Sequence, residues 1–149
     1  MKNSILIVDD NLLNLKLLKF VLKNKFKIHS AVSGTEALDQ LKNFTPNIIL
    51  LDLQMPIMNG YQLLKVLKSD TTFKNIPVIA ITALAMESDK EKIMQAGFDG
   101  YITKPIDVNG LPDLLEGFLV SIQHPQGDRD PFSQRSALGE GGQRSDEGL

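Results

Sequence analysis

The side chains of this sequence that could do chemistry are charged or hydroxyl groups that each follow a short apolar run. They are Asp9, Asp10, Asp52, Thr82 and Lys104. Three carboxylates held close together repel one another, so one must take up a proton or a cation must enter. A few carboxylates with open coordination positions suit Mg²⁺, which also binds phosphate oxygens. With an ammonium and a hydroxyl alongside, such a cluster could neutralise a phosphoryl group while a carboxylate attacks it.

Whether these side chains meet depends on the strands that carry them. Unbroken apolar runs at residues 5–8, 48–51 and 77–81 predict buried strands. A weaker, alternating run at 28–32 is typical of a strand at a sheet edge, and residues 100–102 predict a short fifth strand. Helical patterns separate these runs, and strands that alternate with helices at short connections imply βαβ units with a parallel sheet.

The helices have recognisable beginnings. Apolar side chains recur at helical spacing over residues 12–22, and Asn59-Gly60 begins another helical segment. Ser33 with Glu36 matches a capping box, which predicts that a second helix starts there. In the last helix, Pro112 fits best in the first turn, where its missing N–H is not needed.

In a parallel sheet the carboxyl ends of the strands share one edge, where open α/β sheets bind ligands. Taken alone, Asp52 could be no more than the cap of a turn, since Asp is common in turns. Thr82 could equally cap a helix, and Lys104 could be a solvated charge. The joint position of all these side chains at strand ends favours a shared site.

The composition excludes several classes of protein. The chain has 149 residues, enough for one domain with a sizeable core, and its 42% hydrophobic and 23% charged residues are typical of a globular protein. A net charge of −2 gives no basic field for nucleic acid or an anionic membrane. No cysteine is present for a disulfide, thiolate metal site or nucleophile. No signal peptide or membrane-spanning run is evident, so we expect a cytoplasmic protein.

The composition changes at the carboxyl end of the chain. We predict one domain over residues 1–122 and a polar, Gly- and Ser-rich tail over residues 123–149. The tail holds all the arginines and few large apolar side chains, so it cannot bury enough area to offset its ordering entropy. We interpret it as a flexible tail or an addition from an expression vector.

Two classes of protein use an Asp as a phosphoryl acceptor. Haloacid-dehalogenase-like phosphatases have an acid/base Asp two residues after the nucleophile, but Gln54 stands there and cannot shuttle a proton. The second class is the receiver domain of two-component response regulators. The sequence resembles it in four motifs, in order and at its spacing: Val8-Asp9-Asp10-Asn11, Leu51-Asp52-Leu53-Gln54-Met55-Pro56 with Asn59-Gly60, Thr82-Ala83 and Lys104-Pro105.

This resemblance covers about residues 5–119 and implies a flavodoxin-like, doubly wound α/β fold with five βα units and strand order 2-1-3-4-5. It implies that Asp52 accepts the phosphoryl group. Asp10 would bind Mg²⁺ (or Mn²⁺) directly and Asp9 through water, with Asp52 and the backbone carbonyl of Gln54 as further ligands.

The resemblance assigns the remaining motif residues to holding and sensing the phosphoryl group. Thr82 and Lys104 would hold its oxygens, and the Lys104–Pro105 peptide bond would be cis. Tyr101 matches the aromatic switch position, which would respond when Thr82 moves. Asn14, after Asp10-Asn11, is similar to receivers of phosphorelays, although it could be only a polar helix position.

The function implied is a switch rather than a metabolic enzyme, with no catalysis beyond its own phosphorylation and slow dephosphorylation. A sensor histidine kinase or a histidine phosphotransfer protein would donate the group. The face made by the fourth helix, fifth strand and fifth helix would then bind a downstream protein. Since the chain ends soon after the fifth helix, we expect a single-domain regulator without nucleic-acid or membrane partners. A phosphatase and a degenerate receiver that is never phosphorylated remain the alternatives.

Overall fold

The structure is a computed structural model that describes residues 2–123. Five strands and five helices alternate along these residues. The strands are β1 (Asn3–Val8), β2 (Phe26–Ala31), β3 (Ile48–Asp52), β4 (Val78–Thr82) and β5 (Gly100–Thr103). The helices are α1 (Leu12–Leu22), α2 (Gly34–Gln40), α3 (Gly60–Lys68), α4 (Glu87–Ala96) and α5 (Leu111–Gln123). All strand pairs are parallel, in the order β2-β1-β3-β4-β5, which confirms the predicted fold.

The sheet separates two apolar layers, because successive side chains of a strand point to opposite faces. Leu6 and Val8 of β1 face one layer, which α2, α3 and α4 cover. Ile5 and Ile7 face the other, which α1 and α5 cover. Strands β3 and β4 are buried along their whole length, so their near-continuous apolar sequences fit a sheet covered on both faces.

The bounds of β1 and β2 differ from those that the sequence predicted. Strand β1 begins earlier, at Asn3, and the next residue donates its N–H to Oδ1 of Asn47 at 2.7 Å. Strand β2 is displaced towards the amino end, since it begins at the buried Phe26 and ends at Ala31. It lies at the sheet edge as predicted, where side-chain alternation is a weaker guide to the bounds.

The capping box predicted for α2 is only half correct. The Ser33 side chain accepts the N–H of Glu36 at 3.0 Å, so Ser33 is the N-cap. The Glu36 carboxylate, however, accepts the N–H of Val32 rather than that of Ser33. A complete capping box occurs at α3 instead, where Asn59 and Gln62 satisfy each other's backbone N–H groups.

The other helix ends follow the sequence. Gly97 ends α4 with a φ of 109°, a left-handed conformation that glycine adopts without steric cost. Pro112 lies in the first turn of α5, and the first helical hydrogen bond there runs from Leu114 N–H to the carbonyl of Gly110 at 3.0 Å. The predicted tail, residues 123–149, falls outside the described residues apart from the last position of α5. Within residues 2–123 no helix is long and apolar enough to cross a membrane.

Candidate phosphoryl-transfer site

The parallel register brings the polar strand ends to one edge of the sheet. Asp52 is the last residue of β3 and pairs with Ile81 of β4, one residue before Thr82. Thr82 in turn pairs with Thr103 of β5, so Lys104 leaves the sheet beside it. The convergence that the sequence predicted therefore follows from strand order and register.

Three carboxylates form one cluster at this edge. One oxygen each from Asp9, Asp10 and Asp52 lies within 4.8 Å of the others. Asp9 and Asp52 are buried and Asp10 is exposed. The Lys104 ammonium lies 3.5 Å from Oδ2 of Asp52. Three negative charges against one positive charge leave an excess of two, carried by oxygens that a hard divalent ion prefers.

Burial perturbs the ionisation of the Asp52 carboxyl. The residue is 2% exposed, and this burial raises the pKa of its carboxyl from 3.8 to about 6. The N–H of Gln54, which donates to Oδ1 at 3.0 Å, opposes that rise, as does Lys104, while the charge of Asp9 adds to it. Without a cation, Asp52 therefore holds its negative charge less readily than an exposed carboxylate.

Residues at the start of α1 donate hydrogen bonds to both oxygens of Asp9. Its Oδ1 accepts the backbone N–H of Asn11 at 2.9 Å, and its Oδ2 accepts the side-chain amide of Asn14 at 3.3 Å. The Asn11 side chain caps α1 by accepting the N–H groups of Leu13 and Asn14. The first turn of α1 therefore orients one carboxylate of the cluster.

Lys104 is held by a backbone hydrogen bond and by the ion pair of its ammonium with Asp52. Its N–H donates to the carbonyl of Thr82 at 2.8 Å, which extends the contact between the ends of β4 and β5. The Lys104–Pro105 peptide bond is cis, the isomer that the resemblance implied. The ammonium can therefore reach Asp52 from a backbone anchored at the same sheet edge.

Thr82 and Tyr101 lie on neighbouring strands beside the cluster. Thr82 is fully buried, and its hydroxyl oxygen accepts the N–H of Leu84 at 3.0 Å. Tyr101 is buried in the layer covered by α2, α3 and α4. The Lys90 ammonium of α4 lies 5.9 Å from the centre of the Tyr101 ring. These contacts connect the strand ends to the loop before α4 and to α4 itself.

The loop between β3 and α3 is tightly constrained. Ile57 has a φ of 68°, and the N–H of Met58 donates to the carbonyl of Pro56 at 2.7 Å across it, which closes a turn. The Ile57 side chain is 99% exposed. At Gly60, an added Cβ would lie 2.8 Å from Cα of Leu53, so only glycine fits this close approach.

The donor set fits Mg²⁺ or a similar hard ion. All ligands that the cluster offers are carboxylate oxygens, two of them in a buried setting where their mutual repulsion is costly. Asp10, which is exposed, leaves one side of the cluster open to water and to a phosphoryl group.

The fold and the acidic cluster define a class of protein. Residues 5–116 match the family model of the response regulator receiver domain, and the chain belongs to that family. The polar-differentiation response regulator DivK of Brucella ovis is 40% identical over 120 residues, which cover 80% of this chain and 98% of that protein.

Solved structures agree with this assignment. The signal receiver domain of a signal transduction histidine kinase from Syntrophus aciditrophicus is 31% identical, with a TM-score of 0.72, over 80% of this chain and 92% of that one. The chemotaxis protein CheY4 of Vibrio cholerae has the same fold, with a TM-score of 0.73 at 23% identity over 78% of this chain and 98% of that one. The phosphatase alternative is set aside, because the family and the fold are those of receivers.

The sequence predicted the acidic cluster, but it predicted neither the contact of Asn14 with Asp9 nor the positive φ of Ile57. From the sequence, Asn14 resembles a residue of phosphorelay receivers or is a polar helix position; in the structure its side-chain amide donates to Asp9. Its place three residues after the N-cap Asn11 was the available signal, because such side chains reach back past the helix start. The strained Ile57 had no sequence signal, since a β-branched residue is not expected at a positive φ.

Proposed function

We propose that Asp52 accepts a phosphoryl group from a phosphohistidine of a partner protein, and that this changes the affinity of the domain for a second protein. The observation that carries the proposal is the burial of Asp52 within a cluster that also holds Asp9, Asp10 and the ammonium of Lys104. An Asp52 oxygen attacks phosphorus, the P–N bond breaks, and the departing imidazole takes a proton. Lys104 neutralises negative charge on the phosphoryl oxygens.

The same proposal assigns a cation to the cluster. Asp10 would hold Mg²⁺ or Mn²⁺ directly and Asp9 through water, and Asp52 and the Gln54 carbonyl would be further ligands. When bound, the ion neutralises the charge of the phosphoryl oxygens. Support comes from the three carboxylates, whose excess charge of the same sign needs a counterion.

We further propose that the phosphoryl group is held for a time rather than discharged at once. Gln54 stands two residues after Asp52, and its side chain is exposed, but an amide cannot pass a proton to or from an attacking water. The domain therefore works as a switch with slow self-dephosphorylation. It does not turn over a metabolite.

The phosphoryl group would act through Thr82 and Tyr101. It adds about −1.5 to −2 charges and new acceptor oxygens at Asp52. The Thr82 hydroxyl, which now accepts the N–H of Leu84, turns to donate to them, and Tyr101 responds to the space left. Lys90 lies over the Tyr101 ring, so a shift of the ring reaches α4. The face of α4, β5 and α5 then changes its affinity for a downstream protein.

A docking surface for the phosphodonor adjoins the cluster. Helix α1 buries Leu15, Leu18 and Leu22, yet its opposite side exposes a row of apolar side chains at one-turn spacing. This row, named here the α1 ridge, consists of Leu13, Leu17 and Phe20. It begins in the turn that holds Asp9, so a helical donor lying along it would bring its histidine near Asp52.

Incubation with acetyl phosphate and Mg²⁺ tests this function. We expect a stoichiometric adduct that decays slowly, needs Mg²⁺ and is absent from Asp52→Asn. Sustained release of phosphate over many turnovers would contradict the switch. Absence of both an adduct and Mg²⁺ binding would favour a degenerate receiver. We also propose that the protein is cytoplasmic, and a fluorescent fusion found outside the cytoplasm would contradict this location.

A further inference from the structure

The structure assigns Asn14 the role of a positioning residue for the metal site: its side-chain amide orients the Asp9 carboxylate and thereby strengthens Mg²⁺ binding. The inference rests on the proposed function in one respect, that Asp9 belongs to the Mg²⁺ site. It adds a residue of α1 that acts on the site through Asp9.

The contacts of Asp9 form a two-point clamp. Its Oδ2 accepts the Asn14 amide at 3.3 Å, and its Oδ1 accepts the backbone N–H of Asn11 at 2.9 Å. Both donors come from the beginning of α1, so a single rigid element holds both oxygens. Asp9 is 1% exposed, which leaves bulk water little access as a replacement donor.

The way in which α1 begins explains why Asn14 is free to make this contact. In α3 the side chain of Gln62, three residues after the N-cap Asn59, accepts the N–H of that N-cap residue at 2.8 Å. In α1 the corresponding N–H, from Asn11, donates to Asp9 instead. Asn14 therefore does not serve as the acceptor of a capping box, and its amide can donate to the other Asp9 oxygen.

The charges at the start of α1 also favour a fixed position for the Asp9 carboxylate. The first turn of α1 contains no acidic residue, so Asp9 is the anion that complements the positive end of this helix. The two α1 donors use one lone pair on each Asp9 oxygen, and a carboxylate oxygen has a further lone pair that a metal-bound water can use. The loss of a partner that orients a direct metal ligand typically lowers metal affinity by about 10- to 100-fold. Asp9 would act on the ion through water, so we expect the loss of its Asn14 contact to fall at the lower end of that range.

Calorimetric titration of the unphosphorylated protein with Mg²⁺ tests the inference. In Asn14→Leu, which has a similar size but no donor, we expect affinity to fall by about tenfold, the lower end of that range, because Asn11 still holds Oδ1. Leucine has the higher helix propensity, so folding should not suffer, and urea unfolding without Mg²⁺ checks this. Asn24→Leu makes the same chemical change at an exposed position after α1, and its affinity should equal that of the wild type.

A second readout separates positioning from general damage. With acetyl phosphate as donor, the Mg²⁺ concentration for half-maximal phosphorylation of Asn14→Leu should rise by about tenfold, whereas the rate at saturating Mg²⁺ stays unchanged. Equal Mg²⁺ affinity in wild type and Asn14→Leu would overturn the role of Asn14 alone. A wild type that binds no Mg²⁺ would overturn the proposed metal site along with it.

Discussion

Replacing the buried Asp52 carboxyl by an amide should stabilise the metal-free protein above neutral pH. Burial raises the pKa of this carboxyl from 3.8 to about 6, so the folded state binds its proton more tightly than the unfolded chain does. The stability that comes from this protonation is fully present below about pH 4 and is lost as the pH rises through about 6. Asp52→Asn removes that loss because an amide does not ionise.

The magnitude follows from the same values. The difference between 3.8 and about 6, at about 1.4 kcal/mol per pKa unit, corresponds to about 3 kcal/mol at about pH 8. The amide oxygen can still accept the N–H of Gln54. The amide NH₂ then takes the place of Oδ2, 3.5 Å from the Lys104 ammonium, so the attraction between these two side chains is lost and about 3 kcal/mol is an upper bound.

Urea unfolding in the presence of a chelator measures the effect. We expect the difference in unfolding free energy between Asp52→Asn and wild type to grow in favour of the variant between about pH 4.5 and about pH 8. Added Mg²⁺ should reduce this difference, because it stabilises the wild type more than a variant that lacks one carboxylate of the cluster. Asp39→Asn, at an exposed carboxylate 3.6 Å from the Lys42 ammonium, is the matched control, because an exposed ion pair contributes little to stability. A difference that does not change with pH would refute the reasoning.

Three further variants test the loops and the docking surface. Gly60→Ala should lower the free energy of unfolding by about 1–3 kcal/mol, because its Cβ meets the backbone of Leu53. Its control, Gly117→Ala in open space on α5, should raise the free energy of unfolding by about 0.5–1 kcal/mol. The same change in unfolding free energy for both variants would contradict the close approach at Gly60. Ile57→Asn should raise the free energy of unfolding by about 1 kcal/mol, since asparagine tolerates a positive φ, and no gain in urea unfolding would mean that the turn is unstrained. Leu17→Asp on the α1 ridge should slow phosphorylation by a purified histidine phosphotransfer donor but not by acetyl phosphate; equal rates with the protein donor would exclude this surface.

The fold and the acidic cluster could be predicted because both depend on pattern and topology. Once strands alternate with helices in a parallel sheet, residues at strand ends such as Asp52 and Thr82 must share an edge. The bounds of β2 were less predictable, since an edge strand is half exposed and its alternation is weak. The assignment of a phosphoryl-transfer site gained most from four motifs appearing together.

The remaining features depend on geometry that a sequence pattern does not encode. Glu36 matched a capping box, yet its carboxylate accepts from Val32, because several backbone N–H groups lie within its reach at a helix start. The contact of Asn14 with Asp9 requires a choice among side-chain rotamers. The positive φ of Ile57 runs against its local preference, so the surrounding loop must impose it.

Mapping the phosphorylated residue tests the central claim most directly. The protein would be phosphorylated with acetyl phosphate and Mg²⁺, reduced with borohydride, which converts an aspartyl phosphate to homoserine, and digested for mass spectrometry. We expect homoserine at position 52 alone, with none in a sample treated without Mg²⁺. Homoserine at Asp9, Asp10 or another carboxylate instead, or none at all in a protein that binds Mg²⁺, would contradict the assignment of Asp52 as the acceptor.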